Sequence, residues 1–301
     1  MSEPILVILA AGLSLRYGGM KQIDGIGSHG EPIIDFSIYD AYRAGFRKVV
    51  LIIRKEHEQL FRKALTDEIE PYMNVEFAFQ EISDLPEGIT LPDGRVKPWG
   101  TTQALLACRH NVDAPFAICN ADDFYGRNAF EVMYDFLKND VKDGSYAMIG
   151  YPCAKTLGDH GTVTRGICEM DENRNLRSIR EIRQVGRIEG EVRYIENGEY
   201  VPLDPNTPVS MNFWGFTPKV FEDFTAVLQE FLPAAIARDP YGSEHVIPTA
   251  VGTLLERGLC SVKVLTSTDS WYGVTYKEDK PKVVEAIAEM KKSGRYPDRL
   301  W

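Results

Sequence analysis

The chain has 301 residues, 44% of them hydrophobic and 26% charged, enough to bury the core of one large α/β domain without covalent staples. A formal net charge of −10, with no dense basic stripe, argues against nucleic acid as a partner. Five scattered cysteines (Cys108, Cys119, Cys153, Cys168 and Cys260) form no CxxC pair and no cysteine–histidine spacing, which speaks against a disulfide framework or a zinc site and suits a reducing, cytoplasmic setting.

The first apolar run, Pro4–Leu9 (PILVIL), reads as a strand buried on both faces. It follows no basic region, and nothing in the chain approaches the roughly 20 apolar residues of a membrane helix. Ile33–Ala44 has helical spacing, with Gly45 as its stop. Lys48–Ile53 is a second strand, His57–Leu65 a helix and Asn74–Phe79 a third strand. Thr101–Arg109 reads as a helix, Pro115–Cys119 as a fourth strand and Glu131–Lys138 as a helix. This alternation predicts an α/β fold in three layers, a mostly parallel sheet with helices on both faces.

From about Gly144 the pattern changes. Tyr146–Tyr151, Thr162–Met170, Leu176–Ile182 and Glu191–Ile195 read as strands, separated by turn sequences at Asp171–Asn175 and Glu196–Gly198. Strand Pro208–Phe216, helices Lys219–Ala237 and Ser243–Arg257, strand Ser261–Thr266 and helix Lys280–Lys292 complete the chain. No linker, repeat or low-complexity tract intervenes. The expectation is a single domain over residues 1–301, with halves at about 1–143 and 144–301.

The most specific segment is Leu9–Gln22, LAAGLSLRYGGMKQ. A buried strand ends in small residues that allow a ligand close to the backbone, and the following loop carries Arg16 and Lys21. In open α/β sheets ligands sit at the carboxyl ends of strands. Exposed N–H groups with one forked and one compact cation suit a triphosphate. A P-loop is excluded, because five residues separate Gly12 from Gly18 and Lys21 is followed by Gln22. The dinucleotide fingerprint fails at Ser14.

Two further features agree. Gln80 follows the third strand, where its amide can read a base edge, and Gly100-Thr101-Thr102 opens a helix on which a base or ribose can pack. Ile118–Gly126 (ICNADDFYG) ends a strand in Asp122 and Asp123, carboxylates suited to Mg²⁺ beside phosphates; Asp123 reads equally well as a helix cap. The insert Glu81–Lys97 is either a flap over a nucleotide or plain surface.

Leu9–Lys21 resembles the LAAGxGxRxGxxK signature of the sugar-phosphate nucleotidyltransferases, with Ser14 as the evident departure. The resemblance implies a Rossmann-like (GT-A-like) fold with an antiparallel acceptor-binding part. It implies nucleotide contacts from Leu9, Ala10, Ala11, Gly12, Gln80, Gly100 and Thr101, catalytic roles for Arg16, Lys21 and Asp122, and magnesium on Asp122. Relatives often carry a Trp-x-Asp segment late in the chain; here Gly273 stands where that Asp would fall, and Asp269 is the expected substitute. Gly161, Glu181, Arg183 and Asn212 are the implied acceptor contacts, with Arg180 and Lys155 as other candidates for its phosphate. Relatives' Glu-Lys pair appears as Glu181-Ile182, so the lysine is absent.

The implied reaction is Mg²⁺-dependent transfer of a nucleoside monophosphate from an NTP to a sugar 1-phosphate, with pyrophosphate released. A non-sugar acceptor such as phosphocholine or a polyol phosphate, and a non-catalytic nucleotide-sugar-binding regulator, stay open. So does a homo-oligomer. The histidines, His110 and His245 included, form no catalytic pattern, and hydrolase motifs are absent.

Overall fold

The computed structural model describes residues 2–12, 21–158, 161–273 and 279–301. Its first half follows the predicted alternation. Strand β1 (Ile5–Leu9) leads through a short 3₁₀ turn at Lys21–Ile23 to helix α1 (Ile33–Ala44). Ile34, Ile38 and Ala41 recur on the buried face of α1. The helix stops at Gly45, whose φ of 125° suits glycine and whose N–H reaches the Ala41 and Tyr42 carbonyls. β2 (Lys48–Ile53) precedes a helical stretch made of α2 (Glu58–Phe61), one wide turn at Arg62–Thr66, and α3 (Asp67–Ile69). β3 (Asn74–Phe79), α4 (Thr101–Leu106), β4 (Phe116–Asn120), the short β5 (Asp123–Phe124) and α5 (Arg127–Asn139) follow.

The second half contains β6 (Ser145–Pro152), β7 (Thr162–Met170), β8 (Leu176–Ile188), β9 (Glu191–Glu196), β10 (Glu199–Pro202) and β11 (Pro208–Phe216). Then come α6 (Lys219–Arg238), α7 (Ile247–Glu256), β12 (Ser261–Thr266), the two-residue β13 (Tyr272–Gly273) and α8 (Lys280–Lys292). Three boundaries differ from the sequence expectation for identifiable reasons. Helix α5 starts four residues early because Asp269, distant in sequence, accepts the Asn128 N–H at 2.8 Å and caps it. Helix α7 starts four residues late, at the first position compatible with Pro248 in its opening turn. Strand β8 continues six residues past Ile182 through an irregularity at Gln184, whose φ is 58°.

Strands β3, β2, β1 and β4 form the parallel centre of an eleven-stranded sheet; beyond β4 the neighbours β11, β7, β8, β9 and β10 are antiparallel. β6 pairs with β11 and carries β12 on its outer side. Alternation sorts the core into two layers. Leu6, Ile8, Val49, Leu51, Ala117, Cys119 and Ile149 face α1 and α5, while Val7, Ile52, Ile118 and Met148 face α4, α6 and α7. A third, smaller cluster joins α1 to α8 and the C-terminal segment through Phe36, Tyr39, Val283, Ile287, Tyr296 and Leu300. The three layers and the mixed main sheet are as the sequence predicts; β5 and β13 form a second, two-stranded sheet. Among the described residues no helix is long and apolar enough to cross a membrane.

Candidate functional site

The carboxyl ends of β1 and β4 meet directly. Parallel pairing sets Leu9 beside Asn120, the Ala121 N–H donates to the Leu9 carbonyl at 3.1 Å, and the Ala10 N–H donates to the Ile52 carbonyl at 2.8 Å. Strand end Leu9–Gly12 therefore lies against the turn that carries Asp122 and Asp123. The glycine end of this loop is pinned by the buried Gln22, whose amide donates to the Gly12 carbonyl at 3.0 Å. Arg16 lies outside the described residues, as does the side chain of Lys21; the Lys21 backbone opens the 3₁₀ turn.

Asp122 is half-buried and Asp123 buried. A hydrogen-bond chain of fixed direction ends on Asp123. The Trp214 indole N–H can only donate, and it points at Asn212 Oδ1 at 3.1 Å. The Asn212 NH₂ is thereby turned toward Asn120 Oδ1 at 2.8 Å, and the Asn120 NH₂ toward Asp123 Oδ2 at 2.9 Å. The Tyr125 hydroxyl accepts the Asn120 N–H at 3.1 Å and shares its proton between Met211 O at 2.8 Å and Asp123 Oδ2 at 3.1 Å. Burial pushes the Tyr125 phenol well above its ordinary range, so it remains a donor. Asn212 sits at the irregularity of β11 with φ 61°, a conformation asparagine tolerates, and this aims its amide at the β4 tip.

The predicted base-reading residues also cluster. Gln103 donates through its NH₂ to the carbonyls of Glu81 at 2.7 Å and Asp84 at 3.2 Å, so its Oε1 faces Gln80 at 2.7 Å. The Gln80 NH₂ is therefore occupied, and its carbonyl oxygen is the group it can offer a ligand. Gly100 has φ 96°, and a Cβ there would come within 2.4 Å of the His245 carbonyl oxygen. Only glycine fits this crossing. Thr101 Oγ1 accepts the Ile247 N–H at 3.0 Å and caps α7. His245, its pKa pulled down to about 4 by burial, bonds Thr102 Oγ1 at 3.1 Å and is structural. The 81–97 insert is tied down: the Arg95 guanidinium lies 3.3 Å from the Trp99 ring centroid and donates to the carbonyls of Lys97, Pro98, Pro240 and Ser243.

The second wall comes from β13, which pairs with β5 so that Gly273 stands opposite Asp123. A Cβ at Gly273 would come within 2.3 Å of Trp271 Cη2 and 3.1 Å of Asp123 Oδ1. The indole thus fills the space that a side chain at position 273 would need. Asp269 uses Oδ2 for the Asn128 N–H and for an ion pair with Arg295. Glu181 and Arg183 are both exposed; by alternation they stand on the face of β8 opposite Ile182. Gly161 is exposed at φ 73°, and its carbonyl lies where a Cβ on Gly186 would come within 2.9 Å. Arg180 pairs with Glu196 at 3.0 Å on the surface.

Sequence reading missed Arg165. It is directly across from Ile182, the position where a lysine was expected. A cavity of about 110 Å³ lies beside it, lined by Lys155, Trp271, Gly273, Asp279 and Lys282. The signal was available: Val163, Arg165 and Ile167 alternate on one face of β7, so the arginine interrupts an inward apolar row.

Among the described residues no three His, Cys, Asp or Glu side chains gather into a self-sufficient metal cage. One or two carboxylates at a strand tip, completed by phosphate oxygens and water, are the donor set that magnesium takes. The residues at the β4 tip fit an ion delivered with a nucleotide.

A family model described as nucleotidyl transferase matches residues 17–200. No curated protein matches the chain in sequence. In structure it resembles the inositol-1-phosphate CTP transferase from T. maritima, with a TM-score of 0.66 and 13% identity over 97% of this chain and 98% of the other. It also resembles a UDP-glucose pyrophosphorylase complexed with UDP-glucose, with a TM-score of 0.62 and 15% identity over 96% and 99%.

Proposed function

The chain belongs to the nucleotidyl transferase family, and on that premise we propose that it transfers a nucleoside monophosphate from an NTP to a sugar 1-phosphate, releasing pyrophosphate. The observation that carries this reading is the Ala121–Leu9 hydrogen bond, which seats the Leu9–Gly12 strand end against the acid tip of β4. In this reading the loop from Gly12 to Lys21 holds the triphosphate, with Arg16 and Lys21 neutralising it. Gln80 offers its carbonyl oxygen to a donor on the base edge, and Gly100 and Thr101 line the floor beneath.

The acceptor phosphate is anionic at neutral pH and needs no strong base to attack the α-phosphorus in line. The protein's task is alignment and charge neutralisation. Asp122 holds magnesium, which when bound neutralises the phosphate oxygens. Asp123, fixed by Asn120 and Tyr125, keeps the turn in shape. Asp269, with Oδ2 engaged by Asn128 and Arg295, braces α5 and offers a metal only its other oxygen. Gly161, Glu181, Arg183 and Asn212, the acceptor contacts that the resemblance implies, all belong to the antiparallel half.

A cyclic polyol phosphate is the second acceptor reading, supported by the likeness in fold to the inositol-1-phosphate enzyme. The test is a matrix of four NTPs against sugar 1-phosphates and polyol phosphates, read by pyrophosphate release with and without Mg²⁺. Turnover that needs both substrates and the metal is the expected result. Tight nucleotide-sugar binding with no turnover in any combination sinks the enzymatic reading and favours a sensor.

A further inference from the structure

Arg165 exposes 9% of its surface and makes no ion pair among the described residues. Its Nε donates to Thr156 Oγ1 at 3.0 Å, one Nη donates to the Thr164 carbonyl at 2.9 Å, and the other to the Thr156 carbonyl. The guanidinium lies 5.3 Å from the Trp271 ring centroid. Among the described residues three of its five N–H groups are thus satisfied by neutral partners, and two hydrogens remain. A buried charge normally has a counter-charge, because the low-dielectric surroundings do not solvate it. Among the described residues the carboxylate whose field reaches it is Asp123, which accepts bonds from Asn120 and Tyr125.

Among the described residues, the cavity beside Arg165 has Lys155 and Lys282 on its walls and one acid, Asp279. Its 110 Å³ is several times the roughly 30 Å³ of a water molecule in the liquid, room for a phosphoryl group. Gly273, on the wall of the cavity, pairs with Asp123 across β13 and β5.

We propose that Arg165 forms the floor of an anion subsite for the phosphoryl group of the acceptor, making it a specificity-determining residue that requires a phosphomonoester. Thr156 and Trp271 act as positioning residues, since they fix the plane of the guanidinium. The assignment to the acceptor rests on the reaction proposed above. The triphosphate of the donor is the other source of the same chemistry, and the loop after β1 is the place assigned to it.

The test has two arms on the intact chain. Isothermal titration with inorganic phosphate compares wild type, Arg165→Ala and Arg165→Lys. The expected result is a loss of about tenfold or more in phosphate affinity for the alanine variant and a smaller loss for lysine, which keeps charge without the fork. In the second arm, KM for the acceptor rises in parallel while KM for the NTP moves less than about twofold, and the unphosphorylated sugar or polyol fails to compete. Equal phosphate affinity in wild type and a folded variant overturns the subsite; if the alanine variant does not fold, the lysine variant decides by the same criterion. A rise confined to KM for the NTP overturns its assignment to the acceptor. Arg165-dependent phosphate binding without turnover in any substrate pair would leave the subsite standing and remove the reaction; turnover with unaltered acceptor KM does the reverse.

Discussion

Two pairs of aspartates lie close together in this fold and have opposite surroundings. Asp122 and Asp123 follow the tip of β4, while Asp35 and Asp40 lie on α1, whose Ser37 hydroxyl donates to the Asp123 carbonyl at 3.3 Å. The α1 pair is closed off by the C-terminal segment. The Trp301 indole donates to Asp35 at 2.6 Å, the Tyr296 hydroxyl donates to Asp40 at 2.5 Å, and Arg127 adds a contact to Asp40 at 3.4 Å. Burial pushes both carboxyls up to about 7. Asp122 remains half-exposed at a strand end where a ligand can approach. An acid serves catalysis here through access, and serves stability through enclosure by donors.

The largest expected effect lies at the open pair. Asp122→Ala should lower turnover by about a thousandfold, or about 4 kcal/mol in the barrier, with the thermal midpoint nearly unchanged. Pyrophosphate release and calorimetry on the same preparation read both; activity within tenfold of wild type breaks the contrast. At the enclosed pair the outcome should reverse. Asp40→Ala strands the buried Tyr296 hydroxyl and should cost about 3 kcal/mol in urea unfolding while kcat per folded molecule stays near wild type. A collapse of kcat at unchanged stability would show the α1 pair to be part of the site.

A pH series sharpens the comparison further. The Asp35 carboxyl is raised in the folded state, so its stabilising contribution is complete below its ordinary value near 4 and is lost as pH rises through about 7. Between pH 5 and 8 the wild type should therefore lose about 2 kcal/mol relative to Asp35→Asn, which stays neutral and still accepts from Trp301. A constant difference across that range would mean that Asp35 is not titrating there. The smallest effect is expected at Asp269→Asn, where the amide oxygen can still cap α5 but the pair with Arg295 is lost. Stability should fall by about 1 kcal/mol and activity by no more than about threefold. A loss matching that of Asp122→Ala would make Asp269 a metal ligand and not a brace.

Much of the candidate site could be read locally. The small residues after β1, the acids after β4 and the glycine before α4 all follow directly from apolar runs, so alternation and strand ends located them. Residues whose role depends on a partner far away in sequence were out of reach. Arg165 went unremarked because its setting exists only once β7 is paired with β8 and Trp271 is laid over it. Thr101 was singled out as a ligand contact; that its hydroxyl also caps a helix almost 150 positions later was beyond a local reading. Asn212 was singled out, yet its link to Asp123 through Asn120 needs the fork of β11 between β4, β6 and β7.

The amino-acid order alone determined the parallel centre, the antiparallel second half and the two strand tips that bear the glycine loop and the acids, because hydrophobic periodicity and turn chemistry act over a few residues. Only the tertiary structure decided which polar groups have partners. It enclosed Asp35 and Asp40 beneath the C-terminal segment, used Asp269 to start a helix, left Gly273 no room for a side chain and buried Arg165 beside a cavity with no ion pair among the described residues. Those outcomes depend on desolvation and on contacts between distant segments, and neither quantity exists until the sheet has closed and its helices have packed.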